Sequence, residues 1–335
     1  MTLTVRSSPA SSHELTVRVI TLEEHFTTPE HWDAVGPFMP AAAKAPALRA
    51  ALLDLDEQRI AAMDAGGVDV QVLSLASGAQ HRLAPADATS LVRDANDAAF
   101  AATRRHPDRF CMFANLALRD PEGAASELHR GVTQLGCVGG FLNGTEGGSF
   151  LDDRRYTPIF EAASELDVPL YLHPTPPPRV VRDVYTAGLA EGSGYFLSTA
   201  AWAWHAELGL HSLRIIVSGV FDRHPALRLI VGHLGEFLPF GLFRAEDGLQ
   251  QKVTGLARPV SEYFLDHFVL TTSGYFTTAP FMCARDVVGI DRLMYSVDHP
   301  YRSSTAGAEF LRRLPIPGDE LASLTSGNAE RYLKL

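Results

Sequence analysis

The chain has 335 residues, 46% of them hydrophobic and 20% charged, which is enough to bury one large core or two modest ones. Its net charge of −10 and pI near 5.7 argue against a nucleic-acid partner, since no basic run offers phosphate contacts. No stretch approaches the roughly 18 to 20 apolar residues of a membrane span. The three cysteines, Cys111, Cys137 and Cys283, show no CxxC spacing and read as buried thiols of a reducing compartment, so a cytoplasmic location is expected.

Residues 1–16, rich in Ser and without a continuous apolar run, read as a flexible N-terminal tail, and 17–335 as a single domain with loop insertions. Residues 17–22 form the first predicted strand. The stretch from His25 to Pro46, with four prolines, reads as a long loop beside it. Helical periodicity over 54–65, through Leu55, Ile60 and Met63, stops at Gly66-Gly67, and 68–75 is the second strand. Predicted helices at 87–105, 121–135 and 153–166 then alternate with strands at 110–116, 138–142 and 168–173. Residues 174–199, which open on Pro174, Pro176, Pro177 and Pro178, read as an insertion. A helix over 200–219 leads to a strand at 227–233, a helix at 236–251, a strand at 267–272, a helix at 279–288 and a strand at 292–297, with two helices to close. Eight strands alternating with helices define an α/β fold of the (β/α)8 TIM barrel type.

In such a barrel the C-terminal strand ends all open onto one face, where residues distant in sequence converge. Four predicted strands end in metal-ligand residue types. Glu23 and His25 follow the first, His173 ends the fifth, His233 ends the sixth three residues before Glu236, and Asp298 follows the eighth. Glu23 and His25, two apart, project from one side of an extended segment. With His173, His233 and Asp298 they offer a mixed nitrogen and oxygen shell for a divalent ion, Zn²⁺, Mn²⁺ or Mg²⁺. One strand-end histidine alone is ordinarily a structural residue; the weight comes from four strand ends on one face.

The lysines, Lys44, Lys252 and Lys334, end no predicted strand, which disfavours a Schiff base or a carbamylated bridge and favours a single ion. His205 and His211, on a predicted helix, read as packing or surface residues. No phosphate-binding, serine-hydrolase or dinucleotide signature is present.

The stretches that carry these residues, among them Leu22-Glu-Glu-His-Phe26, Tyr171-Leu-His-Pro174, Gly232-His-Leu-Gly-Glu236 and Ser296-Val-Asp-His-Pro300, resemble the amidohydrolase superfamily. Within it they are similar to the amidohydrolase-2 group of non-oxidative decarboxylases acting on o-hydroxybenzoic acids. The resemblance spans nearly the whole chain after the tail. It implies Glu23, His25, His173 and Asp298 as ligands of one divalent metal ion, Zn²⁺ or Mn²⁺ first and Mg²⁺ next, and His233, supported by Glu236, as acid/base, with Asp298 also the proton donor. It further implies a small aromatic carboxylate substrate of the 2,3- or 2,6-dihydroxybenzoate or salicylate type, walled by Phe26, Tyr301, Trp202 and Asn143, and a homodimer or homotetramer.

Two departures stand out: His299 replaces an aromatic residue, and residues 180–198 follow no pattern of the group. The same ligands also suit hydrolysis of a lactone, ester or amide by metal-activated water with Asp298 as base, and that alternative stays open at this point.

Overall fold

The computed structural model describes residues 17–39, 43–76, 80–144 and 148–335; the expected tail over 1–16 and part of the loop after Asn143 lie outside them. Every strand pairing among the described residues is parallel. Strands β1 (Ile20–Phe26), β2 (Val70–Leu75) and β3 (Phe110–Met112) form one ladder. Strands β4 (Ala114–Asn115), β5 (Gly140–Asn143), β6 (Leu170–His173), β7 (Leu229–Val231), β8 (Phe268–Thr271) and β9 (Leu293–Met294) form the next.

Strands β3 and β4 are two pieces of one stave. Phe113 N–H donates to Leu73 O at 3.0 Å, and Ala114 N–H then donates to Gly139 O at 2.8 Å, so the chain passes from one neighbour to the other without leaving the wall. The last stave meets the first where His25 N–H donates to His299 O at 2.7 Å, beside a hydrogen bond from Ser296 Oγ to Leu22 O. These eight staves make the (β/α)8 barrel.

Alternation along the strands divides the core into two layers. Ile20, Leu22, Val70, Val72, Phe113, Phe141, Tyr171, Ile230, Val269 and Met294 point inward and fill the barrel. Leu73, Leu75, Leu170, Leu172, Leu229, Val231, Phe268 and Leu270 point outward and bury against the surrounding helices. Small residues allow that close packing. A Cβ on Gly66 would come within 2.3 Å of the Ser304 side chain, so only glycine lets helix Glu57–Gly66 lie against helix Ser304–Arg313.

The structure departs from the expected elements mainly beside the active face. The predicted loop after His25 holds helix Pro29–Val35, capped by Thr28 Oγ1 accepting from His31 N–H at 3.1 Å, and helix Pro46–Leu53 follows. Proline at the first helical position of each starts the helix rather than preventing it. The insertion at 174–199 folds into helices Arg179–Tyr185 and Glu191–Ser198. Helix Val260–His267, ahead of β8, had no counterpart in the expected elements. Among the described residues, no helix is long and apolar enough to cross a membrane.

Candidate active site

The site is built on a flaw in β1. Inward-facing Ile20 and Leu22 would be followed by Glu24 on an uninterrupted strand, but the register with β2 slips between Thr21 and Glu24, and Glu23 takes φ 62°. This bulge resets the alternation and turns Glu23 and His25 into the barrel, while Phe26 falls on the outer face. Spacing of two thus brings Glu23 and His25 together as expected, although by a bulge rather than by plain extended geometry. Left-handed backbone recurs at His233 (φ 49°), Glu236 (φ 54°), Ser273 (φ 37°) and Asp298 (φ 68°), so non-glycine strain is concentrated at the strand ends that carry the polar groups.

The two oxygens of Glu23 have different surroundings. Oε2 accepts hydrogen bonds from Tyr171 OH and Ser273 Oγ, and Thr271 Oγ1 lies 2.9 Å and 2.6 Å from those two hydroxyls. A Cβ on Gly232 would come within 2.7 Å of Oε2, so the end of β7 must be glycine for the carboxylate to sit there. Oε1 is buried and has no hydrogen-bond donor. It faces three imidazole nitrogens, His173 Nε2 at 3.3 Å, His25 Nε2 at 3.9 Å and His233 Nε2 at 4.0 Å, and His25 Nε2 is in turn 3.4 Å from Asp298 Oδ1. Ser74 Oγ, 3.2 Å from His25 Nδ1, holds that ring with Nε2 inward.

A cation at this point would offset the cost of burying these groups. Burial holds the Glu23 carboxyl above its usual value, and burial together with His25 and His233 holds His173 well below the ordinary histidine value, leaving a neutral imidazole. A carboxylate oxygen without a donor, set among imidazole nitrogens, is a donor set that a divalent ion satisfies. Glu23, His25 and His173 place their ligand atoms within 4.8 Å of one another.

Next to this set, Glu236 bridges two imidazoles, with Oε1 2.6 Å from His233 Nδ1 and Oε2 2.6 Å from His205 Nδ1. Both carboxylate oxygens are therefore engaged, so this second cluster of ligand types serves as a hydrogen-bonded chain rather than an ion cage. Burial works against charge on His233, but the carboxylates of Glu236, Glu23 and Asp298 outweigh it and raise its pKa to about 10. Burial likewise opposes ionisation of Glu236, and His233 and His205 overcome it and hold the carboxyl below its usual value. His205 reaches Glu236 because helix Ala203–Val217 carries Gly209, where a Cβ would come within 2.6 Å of Glu236 O. The expected packing role of His205 is thus corrected: it belongs to the site.

Glu24 is a further residue that the motif concealed. It accepts from the backbone N–H groups of Val297 at 2.9 Å and His299 at 3.3 Å, which flank Asp298. Burial raises its carboxyl to about 8, against the pull of those two N–H groups and of buried Arg59. Arg59 also donates to His25 O and, at 3.2 Å, to Gln71 Oε1. His299 itself is buried and does not line the cavity; burial and the Arg59 charge press it down to about 3.

Above the polar cluster lies a cavity of about 380 Å³, with His25, His173, His233 and Asp298 at its buried end and Tyr195, Phe196, Trp204 and Tyr301 on its sides. Of the residues expected to wall the substrate, Tyr301 is here. Phe26 is buried in the outer core. Trp202, 58% exposed, packs on Phe237 with ring centroids 4.9 Å apart, and Trp204 lines the cavity instead. Asn143 lines a separate pocket of about 30 Å³ with Leu75 and Thr175.

Comparison with known proteins agrees with this geometry. The family model described as Amidohydrolase matches residues 25–335. Decarboxylase orsB of Emericella nidulans is 34% identical over 332 residues, covering 96% of this chain and 98% of the relative. Gamma-resorcylate decarboxylase of Polaromonas sp. is 35% identical over 327 residues, covering 94% of this chain and 98% of the relative. A dihydroxybenzoic acid decarboxylase from Polaromonas sp., crystallised with bound manganese and the inhibitor 2-nitroresorcinol, is 34% identical with a TM-score of 0.87, over 95% of this chain and 97% of that one. Fold, buried ligand cluster and relatives together show that the chain belongs to the Amidohydrolase family and is a carboxy-lyase, a decarboxylase, of the amidohydrolase superfamily.

Proposed function

We propose that the protein decarboxylates an o-hydroxybenzoic acid of the 2,6- or 2,3-dihydroxybenzoate or salicylate type, with a divalent ion held by Glu23, His25, His173 and Asp298. The observation that carries this reading is the donorless Glu23 Oε1 among three Nε2 atoms at the buried end of an aromatic-walled cavity. Mn²⁺ and Zn²⁺ both accept such ligands, and manganese in the similar dihydroxybenzoic acid decarboxylase favours the former. A bound ion supplies Lewis-acid polarisation of the substrate's carboxylate and hydroxyl oxygens.

The chain's own groups perform the remaining chemistry. An aryl carboxylate resists loss of CO₂ because the departing electron pair would occupy an in-plane orbital outside the ring's π system. Protonation of the ring carbon that bears the carboxylate removes the obstacle, since the C–C electron pair then restores the aromatic ring as CO₂ leaves. Asp298, a carboxylate at rest, takes the proton of the o-hydroxyl and delivers it to that carbon, while the phenolate oxygen left behind feeds electron density to the carbon. His233, kept protonated by Glu236, donates to the oxygen that gains charge, and His205 steadies Glu236 from the other side. Trp204 and Tyr301 flank the ring.

The carboxy-lyase assignment sets aside the hydrolytic alternative. Exposed Phe240 and Phe243 on helix Leu238–Gly248 support a homodimer or homotetramer, which sedimentation would detect. The proposed chemistry is tested by measuring CO₂ release from salicylate and the 2,3- and 2,6-dihydroxybenzoates with Mn²⁺ present. Release from at least one is expected, and the absence of release from all three would overturn the substrate class.

A further inference from the structure

The cavity that ends at Glu23 has a second polar pole on its solvent side. Arg82, on the turn Gln80–Arg82 after β2, and Arg182, on helix Arg179–Tyr185 after β6, both line it together with His81. Several arginines elsewhere in the chain are matched by acids, among them Arg130 by Asp97 and Glu127, Arg285 by Glu320, Arg214 by Asp152 and Arg258 by Asp266. Among the described residues, Arg82 and Arg182 have neither an acid partner nor a side-chain hydrogen bond. The Arg82 guanidinium lies over the Phe38 ring, 5.1 Å from its centroid, and Arg182 Nε is shielded from water without a partner. His81 is held below its ordinary value by burial and by the charges of Arg82, Arg182 and Arg119, so these groups share one local positive field.

Two unmatched guanidiniums over one cavity, in a chain of net charge −10, repel each other, and an anion seated between them offsets that cost and gives the shielded Arg182 Nε a partner. A planar ring held between Trp204 and Tyr301, with one carboxylate at the buried ligands, would present its far substituents to this pole, since all of these residues line the same cavity. Guanidinium forks suit a carboxylate there better than a hydroxyl.

We propose that Arg82 and Arg182 form a subsite for a second carboxylate on the substrate ring, so that the preferred substrate is an aromatic dicarboxylic acid with a hydroxyl beside the carboxylate that is lost. The inference rests on the decarboxylase reading for the chemistry at the buried end, whereas the subsite itself is a matter of binding.

Calorimetry with the full chain and Mn²⁺ compares benzoate with benzene-1,3- and benzene-1,4-dicarboxylate. At least one dicarboxylate is expected to bind about tenfold tighter or more, and that ratio is expected to fall towards one in Arg82→Met and Arg182→Met. The same ratio is expected in kcat/KM for 4-hydroxybenzene-1,3-dicarboxylate against salicylate, carried by KM. Dicarboxylates that bind no tighter than benzoate to the wild-type chain, or a preference that survives in both variants, would overturn the subsite. A preference lost in the variants without CO₂ release from any acid would leave the subsite standing and overturn the decarboxylase reading instead.

Discussion

His205 and His233 are held by opposite oxygens of one carboxylate, each Nδ1 2.6 Å from Glu236, with their ring centroids 4.5 Å apart. Glu236 is held below its usual value by an imidazole on each side, and its charge in turn raises the pKa of His233. Replacing His205 by Leu is therefore expected to lower kcat by about 10- to 100-fold, the usual cost of removing such a supporting partner. Metal content should stay unchanged, because the Glu23 set does not include His205. Steady-state kinetics beside metal analysis checks this, and wild-type kcat in the variant would detach His205 from the reaction.

Much of the site was legible in the sequence because strand ends in a parallel barrel open onto a common face, which sufficed for His173, His233 and Asp298. What escaped depended on local backbone or on contacts between distant segments. Tyr171 and Ser273 were not among the expected site residues, yet both donate to Glu23. His205 was hidden because its link to Glu236 needs Gly209 to bring helix and turn together. Phe26 could have been placed correctly, since it directly follows His25 on an extended strand and must face the other way. Trp202 was misplaced because helix Ala203–Val217 begins only after it, leaving Trp204 on the side that meets the cavity.

Gly232 tests the carboxylate cradle. The 2.7 Å approach of its virtual Cβ to Glu23 Oε2 cannot be relieved without moving Glu23 or Ser273. Gly232→Ala is expected to cost roughly 1–3 kcal/mol of stability by overpacking and to lower metal content. Thermal melting with metal analysis reads both effects, and full occupancy with an unchanged melting temperature would show that the cradle has slack.

Glu24 tests the tether on Asp298. Because it accepts from the N–H groups of Val297 and His299 and, at 3.3 Å, from Gln71 Nε2, Glu24→Leu takes the acceptor from three buried donors, two of them backbone N–H groups, and frees the strained Asp298 backbone. Turnover is expected to fall by more than about tenfold and stability by about 2–6 kcal/mol, the range for two such backbone donors. Glu24→Gln, which keeps an acceptor oxygen, is expected to recover part of both, as denaturant melts and kinetics would report. Equal loss in the two variants would mean that the charge, not the acceptor, matters.

Acid sensitivity follows from a histidine outside the site. Burial presses His211 down to about 3 from an ordinary 6.5, and its Nε2 accepts from Leu151 N–H at 2.8 Å. The folded value is the lower one, so below pH 6.5 the unfolded chain binds the extra proton. The stability contribution is complete above that pH and declines as pH falls towards 3. Between pH 7 and pH 5 this one group is expected to remove about 2 kcal/mol. His211→Gln should flatten that part of the pH profile in denaturant melts, and an unchanged slope would show that the imidazole titrates alike in both states.

The central claim is that a divalent ion seated on Glu23 Oε1 and its imidazoles is required for decarboxylation. The most direct measurement is CO₂ release from 2,6-dihydroxybenzoate by protein stripped with a chelator, then titrated with Mn²⁺ while bound metal is counted. Activity that vanishes on stripping and returns as one ion per chain is bound, with neither effect restored in His173→Ala, is the predicted result. Full turnover by metal-free protein would contradict the account.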